Sequence, residues 1–124
     1  MLNSCLLFFS MLNQVDPTLI SSVIAVESTF NPKAIGRSRD YGLMQIRDKY
    51  VPYTSYQLLQ PCTNIMVGSK LIADLQLRYP MYRDIIWISS YNLGVRGFNK
   101  IKYPELFPYY LKIKRKYEQL TVPM

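Results

Sequence analysis

At 124 residues, 49% hydrophobic and 19% charged, the chain is the size of one domain, too apolar for a disordered tail and too poor in charge for a coiled-coil rod. It has no histidine and only two cysteines, Cys5 and Cys62, which excludes zinc fingers and His-based triads. The net charge is +7, yet residues 1–32 hold two acids, Asp16 and Glu27, and no base. The basic remainder suits a polyanion such as nucleic acid, an anionic membrane or a bacterial wall, and equally suits a solvated surface that keeps the protein soluble.

Leu6-Leu7-Phe8-Phe9 has the look of a secretion signal. No base precedes it and no small-residue cleavage site follows, so residues 2–13 read as a first helix. Asp16 then caps a helix that opens on Pro17. Leu19, Ile20, Val23, Ile24 and Val26 recur along it, and Asn31-Pro32 is expected to stop it. Residues 33–55 are polar and irregular, with Gly36 and Gly42, and read as a long loop or a small hairpin. A loop this long in a compact domain is usually functional.

Asn64 is the expected cap of a second strong helix, with Ile65, Gly68, Leu71, Ile72, Leu75 and Tyr79 as its buried stripe. Lys70, Asp74 and Arg78 are spaced for ion pairs on its other face, and Pro80 ends it. Residues 84–93 form a short apolar helix with Gly94 just past its end. Pro108 starts the last helix, with Tyr109, Tyr110, Ile113, Tyr117 and Leu120 turned inward. Lys112, Lys114, Arg115 and Lys116 form its wet face.

Glu27 is the only acid on an otherwise apolar helix, one turn after Val23 and Ile24. Burial and the negative end of the helix dipole both disfavour a carboxylate there. A carboxyl held protonated near neutral pH is what a general acid for glycoside cleavage needs. A glutamate paired with Arg37 or Arg39 at the helix end is the structural alternative.

The blocks around it decide between these. Glu27-Ser28-Thr29-Phe30-Asn31-Pro32-Lys33-Ala34 is followed by Tyr41-Gly42-Leu43-Met44-Gln45-Ile46. Pro61-Cys62-Thr63-Asn64-Ile65-Met66-Val67-Gly68 comes next, then Ser90-Tyr91-Asn92-Leu93-Gly94. In this order they resemble the soluble lytic transglycosylase domain of the lysozyme-like superfamily, which cleaves peptidoglycan. Its pattern runs E-S-x-F-N-P-x-A, G-L-M-Q-I, N-I-x-x-G and Y-N-x-G. The resemblance covers residues 27–94, and the helix from Asp16 extends it.

The resemblance implies a mainly α, lysozyme-like single domain over residues 1–124, with the loop or small β-hairpin over a cleft. It implies Glu27 as the one acid and base, Met44 and Gln45 lining the cleft, Tyr91 beside the carboxyl and Asn92 supporting the floor. Gly68 is then a close-packing position, and Phe30 and Asn31 anchor the loop. The family often has serine nine residues after the glutamate. Here that position is Gly36, which makes Ser38 the candidate contact. Leu93 stands where a small residue is usual, which narrows the cleft.

Asp40 and Asp48 lie outside the family's motif and read as solvated loop residues. With one carboxyl, the substrate's N-acetyl group stabilises the developing cation. Glu27 then takes the proton of the sugar's 6-hydroxyl, closing a 1,6-anhydro ring without metal or cofactor. Cys5 and Cys62 sit as in small transglycosylases of secretion and pilus machines, where the pair is a disulfide. Two reduced thiols, or an enzyme from a phage particle, remain open. The expected partner is the glycan strand, met in the periplasm or outside the cell by a monomer. A hydrolytic lysozyme using Asp40 or Asp48 and a non-catalytic wall-binding module are the competing readings. Specific nucleic-acid binding has only the charge in its favour.

Overall fold

The computed structural model describes residues 2–82 and 84–121. Among the described residues, six helices form the frame: α1 (Leu2–Asn13), α2 (Pro17–Ser28), α3 (Ser55–Leu58), α4 (Pro61–Arg78), α5 (Ser89–Asn99) and α6 (Pro108–Thr121). A two-stranded antiparallel hairpin, β1 (Asp40–Tyr41) and β2 (Ile46–Arg47), pairs Asp40 with Arg47 and Tyr41 with Ile46. This is the mainly helical single domain with a small hairpin that the sequence predicts. No helix among the described residues is long and apolar enough to cross a membrane.

The core gathers on α2. Leu19, Ile20, Val23 and Ile24 are almost fully buried, together with Ile65 and Ile72 of α4, Ile88, and Ile113 of α6. Each such side chain contributes roughly 1.5–3 kcal/mol on leaving water. The α2 helix packs most extensively against α6 and also touches α1. Its start is held as the sequence predicts: Asp16 Oδ1 accepts from Thr18 N at 2.8 Å, and Pro17 opens the helix. Asp16 also accepts from the Tyr117 hydroxyl of α6, across 101 residues.

Several boundaries differ from expectation. The α2 helix ends at Ser28, before Asn31-Pro32, because Thr29 and Phe30 take left-handed φ angles of 53° and 61°. Phe30 is exposed and anchors nothing. Asn31 does shape the turn, its side-chain oxygen accepting from Lys33 N at 3.0 Å. Asn64 is not a cap: α4 starts three residues earlier, at Pro61, and Asn64 is fully buried inside it. Its side-chain oxygen accepts from Met44 N at 2.8 Å. Its amide donates to Tyr41 O and Leu58 O, both at 2.7 Å. One side chain thus satisfies three buried backbone groups, two in the hairpin and one at the end of α3.

On α4, Lys70 pairs with Asp74 at 2.8 Å, while Arg78 has no ion-pair partner among the described residues. The predicted 84–93 helix resolves into a 3-10 turn, Ile85–Ile88, and α5, which runs on to Asn99 across a break at Gly94 (φ 78°). Phe98 holds that continuation by packing edge-on against Tyr79, with ring centroids 5.0 Å apart. Tyr109, Tyr110 and Ile113 are buried as expected, and Tyr117 only partly. Leu120 is 48% exposed, because the last turn of α6 outruns the surface it packs on.

The N-terminal segment is helical. Cys5 and Cys62 are disulfide-bonded, with Cα atoms 5.5 Å apart, and Asn13 Nδ2 donates to Ser69 Oγ at 3.0 Å. These two links run α1 alongside α4 in the same direction. The outer side of α1 leaves Leu7, Phe8, Met11 and Leu12 exposed.

Candidate active site

Glu27 lies in the last turn of α2 and reaches a cleft of about 520 Å³. The hairpin, α5 and the second half of α4 supply the other walls, through Asp40, Gln45, Tyr91, Asn92, Leu93 and Arg78 among others. The Tyr109 hydroxyl of α6 donates to Glu27 Oε2 at 2.7 Å. Burial pushes the Glu27 carboxyl up to about pH 7. The Tyr109 hydrogen bond works against the rise by favouring the ionised form, and the charge of Asp40 adds to it. A carboxyl poised there exists in both forms near neutrality, so it can give a proton and later take one.

Two tyrosines frame the acid. Tyr91 donates its hydroxyl to Met44 O at 2.6 Å, joining α5 to the loop. Burial first, and the nearby Glu27 charge second, hold the phenols of Tyr91 and Tyr109 well above their ordinary pKa, so both remain donors. Gln45 turns through a positive φ of 52° and donates from Nε2 to Ala34 O at 3.1 Å and Gly42 O at 3.0 Å. Its side-chain oxygen accepts nothing from the described residues and lies at the cleft. Gly42 is required twice over: its φ is 77°, and a Cβ there would fall 2.5 Å from Leu58 O. No group of acids and cysteines among the described residues gathers into a metal-binding set.

Residues 8–104 match the family model described as the transglycosylase SLT domain. The chain belongs to that family. A peptidoglycan-binding-like protein of Escherichia coli O157:H7 is 28% identical to this SLT domain over 107 residues, covering 72% of the chain and 63% of that protein. Membrane-bound lytic murein transglycosylase C of Haemophilus ducreyi is 31% identical over 106 residues, 70% of the chain and 29% of the relative. Invasion protein IagB of Salmonella typhi is 32% identical over 91 residues, 64% of the chain and 56% of the relative. The chain spans less than two thirds of the length of each.

Within this SLT domain the motif residues do not all reach the cleft. Glu27, Gln45, Tyr91 and Asn92 line it. Met44 does not: it is fully buried, its sulfur packed on Gly68, where a Cβ would collide with it. It serves the site through its backbone, held by Asn64 on its N–H and by Tyr91 on its carbonyl. Gly68 is thus the close-packing position expected.

Ser38 sits exposed at the tip of the turn that Gly36 N closes on Asp40 O at 2.8 Å. It faces a separate shallow hollow with Arg39 and Asp48, not the Glu27 cleft. Asn92 is exposed on the cleft rim and supports no floor, since it makes no side-chain hydrogen bond to the described residues. Neither arginine pairs with Glu27: Arg39 bonds Asp48 at 3.0 Å, and Arg37 is exposed. Asp40 is not a solvated loop residue. It belongs to β1 and turns one carboxylate oxygen into the protein. Tyr109 is the residue sequence reasoning missed. It stood on the inward stripe of the last helix, where an aromatic reads as core, and it lies beyond the matched span.

Proposed function

We propose that this domain is a peptidoglycan lytic transglycosylase, cutting the β-1,4 bond between N-acetylmuramic acid and N-acetylglucosamine without water. The observation that carries this reading is Glu27: a carboxyl at the cleft, held by Tyr109 and half ionised near pH 7. Membership of the SLT family supplies the substrate class.

Glu27 protonates the bridging oxygen, the bond electrons leave with it, and positive charge develops on the muramic carbon. The substrate's own N-acetyl oxygen meets that charge. Glu27, now ionised, removes the proton of the 6-hydroxyl, whose oxygen closes the 1,6-anhydro ring. That attack is intramolecular, with effective molarities up to about 10⁵–10⁸ M when well oriented, far above bulk water. Gln45 and Tyr91 position the sugar, and Asn92 lies on its path at the rim. Action is in the periplasm or outside the cell. A secretion or pilus apparatus, or a phage particle, is the setting proposed, and the relative named an invasion protein supports the first.

Mass spectrometry of fragments released from purified sacculi tests the chemistry. Anhydro-muramic ends, one water lighter than hydrolysis products and non-reducing, are expected. Mainly reducing, hydrated ends would identify a hydrolytic lysozyme instead. No release, with retained binding, would identify a wall-binding module.

A further inference from the structure

Asp40 has an unusual position for an acid. It opens β1, lines the same cleft as Glu27, and has one carboxylate oxygen, Oδ1, buried with no hydrogen-bond donor among the described residues. Its carboxyl lies directly over Gly36. A Cβ built on Gly36 would fall 2.5 Å from Oδ2 and 2.7 Å from Oδ1. Position 36 is where the family's serine is expected, and a side chain there would push the Asp40 carboxyl from the place it holds.

The surrounding charges do not cancel Asp40. Arg47 is its register partner across the hairpin and also lines the cleft, yet no ion pair joins the two. Arg39, the next residue in the chain, is committed to Asp48. From α2 Asp40 faces another acid, Glu27, and from α5 a neutral phenol, Tyr91. A carboxylate oxygen buried without a donor is costly, and a folded chain keeps one where its field has a use.

We propose that Asp40 is a second functional carboxylate of this cleft, whose negative charge stabilises the cation that develops on the muramic sugar, in the space a side chain at position 36 would otherwise fill. This rests on the transglycosylase reading above. No bond to Asp40 forms or breaks. Glu27 still moves both protons, and Asp40 acts by its field in a site partly shielded from water. The same field keeps the Glu27 carboxyl protonated to higher pH, which prepares it as the acid.

The test is steady-state cleavage of a soluble glycan substrate across pH, with thermal unfolding measured in parallel. In Asp40→Asn, kcat should fall at least about tenfold with KM within about twofold, the signature of an effect on the transition state. The basic limb of the pH profile should move to lower pH, because a neighbouring negative charge has been removed. Gly36→Ala reaches the carboxyl without changing its charge. It should lower kcat in the wild-type background and add nothing in the Asp40→Asn background. Wild-type kcat and an unmoved basic limb in Asp40→Asn would overturn the proposal. Should that variant fail to unfold cooperatively, wild-type kcat in Gly36→Ala would overturn it alone. Inactive wild-type protein, or an active Glu27→Gln variant, would instead strike the transglycosylase reading itself.

Discussion

The two walls around Glu27 each end in a tyrosine hydroxyl, and the two do opposite work. On the hairpin side, Tyr91 donates to a backbone carbonyl, Met44 O, alongside Asn64 and Gln45, which also bond only to backbone. On the α6 side, Tyr109 donates to the carboxylate itself. The first wall is held by groups that do not titrate near neutral pH, so its shape is independent of pH. The second touches Glu27, which does titrate there. Apart from the charge of Asp40, the hairpin side therefore sets shape and the α6 side proton affinity, and substitutions should separate them.

The largest effect should come where the walls meet. Glu27→Gln keeps the shape and removes the proton, and wall-clearing activity should fall about 10²–10⁴-fold in a folded protein. Near-normal turbidity loss would show that the acid lies elsewhere. On the hairpin side, Asn64→Ala should destabilise the domain by roughly 3 kcal/mol or more, since three buried backbone groups lose their partner. Denaturant unfolding reads this directly. The activity that survives should keep the wild-type pH dependence, and a displaced pH limb would show that shape and proton affinity are coupled after all.

Glu27 carries a stability cost of its own. Its carboxyl titrates at about 7 when folded against an ordinary 4.5. Below 4.5 both states are protonated. Between 4.5 and 7 the folded protein holds the extra proton, so its stability falls as pH rises through that interval. The loss is on the order of 3 kcal/mol above pH 7. Glu27→Gln should abolish this dependence, becoming the more stable protein at pH 8 while matching the wild type near pH 4. Melting curves at the two pH values would show it, and parallel curves would refute it.

The bridge between α1 and α4 serves as a control away from both walls. Cys5→Ser should cost roughly 2–4 kcal/mol by releasing a loop of 57 residues. It should leave the pH profile in place, and a shifted limb would mean that the bridge reaches the site. The smallest change, and the sharpest, is Tyr109→Phe. Loss of its hydrogen bond removes a contact that favours ionised Glu27, so the basic limb of activity should move to higher pH. A limb that moves down, or not at all, would break the division between the walls.

What could be read from the sequence follows the range of the interactions. Glu27 stood out as a lone acid on an apolar stripe, but only the four motif blocks around it decided its reading as the acid. The bounds of α1 and the cap of α2 were legible because they depend on neighbours in the chain. Asn64 was misread because a polar residue near a helix start looks like a cap. Its three partners lie 6, 20 and 23 residues away. Met44 was misplaced because a motif gives order and not direction. The positive φ of the next residue, Gln45, leaves the glutamine at the cleft and the methionine in the core. Asp40 looked solvated because the closure of its turn over Gly36 has no local mark. Tyr109, 82 residues from the carboxyl it holds, could be found only by folding the chain.

That last separation has a consequence for how the protein comes into being. A ribosome makes α2 before α6, and secretion in an unfolded state would deliver them in the same order. Until α6 docks, Glu27 lacks both Tyr109 and much of its cover, and an uncovered glutamate is an ordinary surface acid, ionised at neutral pH. It then has no proton to donate. On the proposed reading of Glu27, partly folded copies are silent toward sugar bonds, and cutting begins with the closing of the last helix. The check on completion is the cover that α6 lays over Glu27, since burial is what holds its proton.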